Sequence, residues 1–201
     1  MSAARAQSSN ERKYETRSLA QRWLIGRFQA AVCELVAPLR PATALDAGCG
    51  EGYLDRVLLD RIPGLDLTGV DASEDALAAA RARCPEATFR RCRVEDLADE
   101  PGRYDLVICS EVLEHLEDPV AALRELARLT GGHALLTVPW EPLFQIANLM
   151  RGKYLPTLGN HPEHIHRWSV RAAVRLVRCA FVPLRVERRF PWTIVLGKPI
   201  G

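Results

Sequence analysis

A chain of 201 residues, 48% hydrophobic and 26% charged with a formal net charge of +2, has the make-up of one globular domain, 1–201, with a single large core. No apolar run approaches the length of a membrane span, and the polar start from Ser2 to Arg17 lacks the hydrophobic centre of a signal peptide, so a cytoplasmic location is expected. The six cysteines, at 33, 49, 84, 92, 109 and 179, form no C-x-x-C pair and read as reduced core thiols, not as a disulfide framework or zinc site.

In chain order, a polar tail leads into an amphipathic helix from about Ser18 to Leu39 that Pro41 terminates. Ala42 to Leu45 supply a strand, and Asp46-Ala47-Gly48-Cys49-Gly50-Glu51-Gly52 follows as a turn that opens into a helix from Glu51 to Arg61. Alternate glycines let the backbone bend sharply and let a ligand approach the amides with no Cβ in the way. The helix points its positive end at whatever sits there. Leu65 to Asp71 form a strand with an acidic end, and Ser73 caps an alanine-rich helix with Glu74 and Asp75 in its first turn. A third strand, Ala87 to Arg91, precedes the acidic block Val94 to Leu97. Tyr104 to Glu111 is a near-continuous apolar run, the pattern of a buried parallel strand. Asp118 and Pro119 start a helix as N-cap and first residue, and Gly131-Gly132 ends it before a fifth strand, His133 to Val138. Ser169 caps a helix to about Cys179, and the last strands are Leu184 to Phe190 and Trp192 to Gly197. This alternation predicts an α/β fold with an open parallel sheet covered on both faces.

The glycine spacing separates two nucleotide-fold readings. A dinucleotide fingerprint needs G-x-G-x-x-G, but the third position is Tyr53 counting from Gly48 and Asp55 counting from Gly50. What stands is D-x-G-x-G-x-G. A carboxylate ahead of the glycines repels a pyrophosphate and suits a cofactor that carries an ammonium and a sulfonium. On these residues the chain resembles the class I S-adenosylmethionine-dependent methyltransferases, and the resemblance runs from about Tyr14 to Gly197. It implies a Rossmann-like, mostly parallel seven-stranded sheet whose last strand is antiparallel, with S-adenosylmethionine as donor and S-adenosylhomocysteine as product. It implies cofactor contacts from Asp46, Gly48, Cys49, Gly50 and Gly52 at the turn, and from Asp71 and Ala72 at the ribose. Glu95, Asp96 and Leu97 are expected at the adenine, and Ser110 and Glu111 at the end of the fourth strand. The N-terminal region 1–40, with Tyr14, Arg22 and Arg27, is expected to close over the cofactor as a lid.

Glu111-Val112-Leu113-Glu114-His115 is the sharpest chemical cluster, because i, i+3 and i+4 share a helix face. This E-x-x-E-H run resembles that of the ubiquinone-biosynthesis O-methyltransferases and the small-RNA 2′-O-methyltransferases, where it helps hold a divalent cation. Glu111, Glu114 and His115, with His161 or His164, are then candidate metal ligands. The competing reading makes His115 a metal-free base or floor residue. His115 and His164 are the candidate bases. Segment 139–168 reads as a substrate-capping insertion, with Trp140, Phe144, Asn148, Tyr154, His161, His164, His166 and Trp168 as pocket lining or plain packing.

Charge is uneven: residues 151–201 carry ten basic and two acidic side chains, against ten and twenty in residues 41–150. Such a tail could steer an anion, or it is a solvated helix face, since Arg171, Arg175 and Arg178 recur at helical spacing. The leading expectation is O-methylation of a small molecule such as a natural product, phenol or sugar, by a monomer or homodimer. An RNA 2′-O-methyltransferase and a non-catalytic S-adenosylmethionine-binding protein are the alternatives.

Overall fold

The computed structural model describes residues 14, 18–99, 102–140 and 165–201. Helix α1 (Leu19–Val36) leads, with a 3-10 turn at Ala37–Leu39. Then come β1 (Thr43–Ala47), α2 (Tyr53–Arg61), β2 (Asp66–Asp71), α3 (Glu74–Arg83), β3 (Thr88–Arg91), a 3-10 segment Val94–Asp99 and β4 (Tyr104–Ser110). A short 3-10 turn Leu113–His115 leads to α4 (Pro119–Leu129), β5 (Thr130–Pro139), α5 (Val170–Val177), β6 (Phe181–Arg189) and β7 (Trp192–Pro199). The seven strands lie in the order β3-β2-β1-β4-β5-β7-β6. Pairing is parallel from β3 through β5, and β7 runs antiparallel to both β5 and β6.

Helix starts follow the predicted caps at Ser73, Asp118 and Ser169, and Ser18, at the expected start of the first helix, caps it as well. Ser18, Ser73 and Ser169 accept from the N–H three residues on, at 3.4, 3.2 and 3.3 Å, and Asp118 accepts from Val120 and Ala121 at 3.0 and 2.9 Å. Each such cap stabilises its helix by about 1 kcal/mol. The α-helical part of α1 stops at Val36 because Pro38 has no N–H to continue it, and Arg40 leaves in a left-handed conformation. Gly131 and Gly132 do not terminate α4 as a loop; they belong to β5. A Cβ on Gly132 would overlap the Asp105 carbonyl of β4, so glycine there permits the strands to approach.

Strand alternation divides the core. Leu45 and Ala47 of β1 join Val107 and Cys109 of β4 under α4 and α5, while Ala44, Leu106 and Ile108 face α1 and α2. Leu106 to Cys109 are fully buried, as the unbroken apolar run predicts for a central strand. Truncating Leu106 to Ala would cost about 2–5 kcal/mol. Register between β1 and β4 is fixed at its start by the Asp105 carboxylate, which accepts from Ala42 and Thr43 N–H at 2.9 and 3.1 Å. All the parallel strands therefore deliver their C-terminal ends to one edge, where the glycine turn sits.

Candidate functional site

β1 runs two residues further than Leu45, so Asp46 is a strand residue and the turn begins after Ala47. Gly48, Gly50 and Gly52 have φ of 85°, 55° and 72°, the left-handed region. Their amides are not left open for a ligand. Gly48 and Cys49 N–H donate to the Val70 carbonyl at 2.8 and 3.0 Å, Gly50 to Asp71 Oδ2 at 2.9 Å, and Gly52 to the Cys49 carbonyl at 3.1 Å. The space at Gly48 is likewise required by the protein: a Cβ there would overlap Val112 Cγ2. Cys49 is buried, with its thiol 3.7 Å from the Gly50 carbonyl and its pKa pushed up by burial and then by Asp55, Asp46 and Asp71.

Asp71 ends β2 where its carboxylate ties two segments together: Oδ2 takes the Gly50 N–H and Oδ1 takes the Ser73 N–H at 2.8 Å. Behind the turn lies a second acidic feature that motif reading missed. Asp46 is 2% exposed and Asp55, in the first turn of α2, is 0% exposed. Asp46 Oδ1 and both oxygens of Asp55 are buried with no hydrogen-bond donor beside them. Burial, with Asp71 adding to it, pushes Asp46 up to about 7, and burial beside Asp46 pushes Asp55 well above the usual carboxylate range. The signal for Asp55 was an acidic side chain on the apolar stripe of a helix next to a buried strand.

Around this core the other expected contacts divide. Ala72 is exposed and its carbonyl accepts from Arg91 Nε at 3.2 Å. Glu95 pairs with Arg93 at 2.9 Å, which holds its carboxyl below the usual range, and Asp96 is exposed. The Leu97 side chain is fully buried and its carbonyl accepts from Arg128, so its side chain packs in the core. Tyr14 stacks on Tyr53 with ring centroids 4.3 Å apart, and the Arg83 guanidinium lies 3.6 Å from the Tyr53 centroid while bonding the Glu51 carbonyl. Arg27 is exposed and lies over Trp23, 4.7 Å from its centroid. Tyr53, Arg83 and Trp192 are contributors that no motif flagged.

At the end of β4, Ser110 Oγ and Thr137 Oγ1 are 2.9 Å apart. Glu111 adopts φ 58° and is not on a helix; its N–H donates to Thr137 O, and its Oε1 accepts from Trp192 Nε1 of β7. The 3-10 turn covers Leu113 to His115 alone, so the shared helix face expected for Glu111, Glu114 and His115 does not form. Among the described residues no three acidic, histidine or cysteine side chains come together as a metal-binding group. Glu114 is 1% exposed, and its carbonyl accepts from Ile165 and His166 N–H at 3.0 and 3.1 Å, which docks the return of the insertion against the turn. His166 also bonds the Leu116 carbonyl at 3.0 Å and stacks on Trp168, so these two rings pack as an anchor. Phe144, Asn148, Tyr154, His161 and His164 lie outside the described residues. A cavity of about 510 Å³ between Arg103, Arg128, Cys179 and Ile200 is at the opposite sheet edge, remote from this chemistry.

A family model described as a methyltransferase domain matches residues 45–134. The chain is 35% identical over 156 residues to the ubiquinone biosynthesis O-methyltransferase of Alkalilimnicola ehrlichii, covering 69% of this chain and 62% of that one. It is 32% identical over 158 residues to the enzyme of that name from Pseudomonas aeruginosa, covering 70% and 67%. The chain thus spans less than two thirds of the length of the first of these relatives, and two thirds of the second. Magnesium protoporphyrin IX methyltransferase from Synechocystis shares the fold, with a TM-score of 0.70 at 23% identity over 94% of this chain and 92% of that one. An acidic glycine turn after β1, a carboxylate ending β2 and this strand order agree with those likenesses, and the chain belongs to the class I S-adenosylmethionine-dependent methyltransferases.

Proposed function

We propose that the protein is an O-methyltransferase that takes its methyl group from S-adenosylmethionine and passes it to a hydroxyl of a small molecule, with a quinone-like phenol the first candidate. The observation that carries the donor reading is the concentration of Asp46, Asp55 and Asp71 around a turn whose amides are already engaged. Such a site attracts a cation and leaves a pyrophosphate none of the Gly48, Cys49, Gly50 and Gly52 N–H groups. The donor supplies an electrophilic methyl group on a sulfonium. Asp71 would hold the ribose hydroxyls with the lone pairs that Gly50 and Ser73 leave free, while Glu95 and Asp96 stand near the adenine. Most of the rate then comes from aligning acceptor and donor. His115 would accept the acceptor's proton, and His164 is the second candidate base. The acceptor class is supported by the two O-methyltransferase relatives.

Region 1–40 would serve as a lid and 139–168 as the acceptor cap. A metal-free site is favoured, because Glu111 is engaged by Trp192 and the expected three-ligand face does not form. No helix among the described residues is long and apolar enough to cross a membrane. The proposal is tested by transfer of a labelled methyl group to a panel of catechols and hydroxyquinones, with and without a chelator. Transfer that survives chelation is expected; loss restored by magnesium, manganese or zinc would instead assign Glu111, Glu114, His115 and His161 to a cation. Asp71→Ala should weaken S-adenosylhomocysteine binding by about 1.5–3 kcal/mol, read by calorimetry. Tight NAD binding with no response to S-adenosylhomocysteine would overturn the donor reading. A second reading, RNA as acceptor, draws on the groove of about 390 Å³ lined by Arg171, Arg175, Arg178 and Arg188. Salt-dependent retardation of RNA in a gel would favour it.

A further inference from the structure

The glycine turn is backed by one more carboxyl than the family motif requires. Asp46 comes from β1 and Asp55 from α2, on the sheet face that α2 covers, and no hydrogen-bond donor reaches Asp46 Oδ1 or either oxygen of Asp55. Two ionised carboxylates have no proton to share, and leaving both charged in a buried site is far more costly than leaving one. With both carboxyls buried, without donors and acting on one another, the site calls for one proton between them, and the pair titrates as a unit.

The surroundings supply no competing explanation. Beyond the pair itself only Asp71 from β2 acts on it, while burial and then the pair raise the thiols around it, Cys49 from the turn, Cys84 from α3 and Cys109 from β4, the last also raised by Glu114. None brings a positive charge. Arg56 of α2 is engaged by Asp60 and Glu86, at 2.8 and 2.5 Å, and Arg83 of α3 bonds the Glu51 carbonyl. Asp71 is occupied by two backbone N–H groups, so it cannot take the place of Asp55. A methyl donor with an ammonium group needs one fixed negative charge at the turn. Two would destabilise the empty protein, and none would leave the ligand's charge without a counterpart.

We infer that Asp55 is a positioning residue of the donor site: its carboxyl shares one proton with that of Asp46, orients it, and leaves the pair a single negative charge at the turn. This rests on the donor reading above, and it makes binding of an ammonium-bearing ligand depend on pH through residues that need not touch the ligand. Below neutrality the second proton enters the pair and the charge is lost. Affinity should then fall by up to about tenfold for each pH unit.

The test is calorimetry of S-adenosylhomocysteine with the full chain between pH 6 and 8.5, for the wild type, Asp55→Ala and Asp55→Asn. Asp55→Ala removes the donor to Asp46, and the expected result is binding about tenfold weaker at pH 7, with the pH profile displaced upward. Asp55→Asn replaces the O–H with an N–H and should restore both the affinity and the midpoint. Carboxyl-carbon NMR of the wild type provides a readout independent of whether the variants fold: one proton should persist on the pair at neutral pH. Two carboxyls that are both fully ionised at pH 7, a pH-independent affinity, or a wild-type profile in Asp55→Ala would overturn the inference while leaving the donor reading intact. No binding of S-adenosylhomocysteine at any pH would remove the donor reading, and this inference with it.

Discussion

Gly48 shows how a motif residue acquires a physical role that differs from the one its pattern suggests. Spacing marks it as a place where a ligand meets bare backbone, yet its missing Cβ makes room for Val112, the residue after Glu111. The turn after β1 and the loop after β4 are thus fitted to one another before any ligand arrives. Gly48→Ala should destabilise the fold by about 1–3 kcal/mol, from the overlap together with φ of 85°. Part of that loss should vanish in a Val112→Ala background, since Cγ2 is the atom in the way. A double-mutant cycle by urea unfolding measures the coupling, and additive losses would contradict this account. Asp71 carries a similar lesson, because the carboxylate expected to hold a ribose first holds the turn.

Among the elements, the N-terminal region is the one proposed to close over the donor. Tyr14 stacks on Tyr53, which occupies the first position of α2 and carries Arg83 over its ring, so a chain segment far ahead of β1 reaches the edge of the turn. A stack of this kind contributes about 0.5–1.5 kcal/mol, too little to hold a terminal segment permanently closed. Ligand binding should shift it towards the docked state. Saturating S-adenosylhomocysteine is therefore expected to slow hydrogen exchange in residues 10–30, and Tyr14→Ala should reduce that protection. Unchanged exchange would show that the segment is not a lid. Ile165 and His166, at the return of segment 139–168, are anchored on the Glu114 carbonyl, so Glu114 holds that return through its backbone.

For the molecule as a whole, the buried acid pair sets the direction of the pH dependence of stability. Asp46 rises from 3.8 to about 7 and Asp55 is also raised well above the usual carboxylate range, so the folded state binds more protons than the unfolded chain above pH 4. The pair's contribution is fully favourable below the unfolded value and is lost as pH rises through the folded ones. In the ligand-free protein, Asp55→Asn should flatten the fall in unfolding free energy between pH 5 and 7 by about 1.4 kcal/mol per pH unit. His133, which burial lowers, acts in the opposite sense, but it is common to both proteins and cancels in the comparison. Urea titrations at three pH values check the slope, and parallel curves would contradict it.

Local pattern by itself determined the helix caps at Ser73, Asp118 and Ser169, the buried strand through Leu106 to Cys109, and the glycine turn with its acidic neighbours, because each depends on residues a few positions apart. It misjudged Gly131-Gly132 and the helix face of Glu111, Glu114 and His115, because strand pairing with β4 and a left-handed Glu111 override local propensity. Only the tertiary structure decided the order β3-β2-β1-β4-β5-β7-β6, the bond from Trp192 to Glu111 and the meeting of Asp46 with Asp55. In the bond and the pair, polar groups that the sequence scatters become partners because packing of the strands and helices removes them from water, and a buried polar group must find whatever partner the fold brings to it.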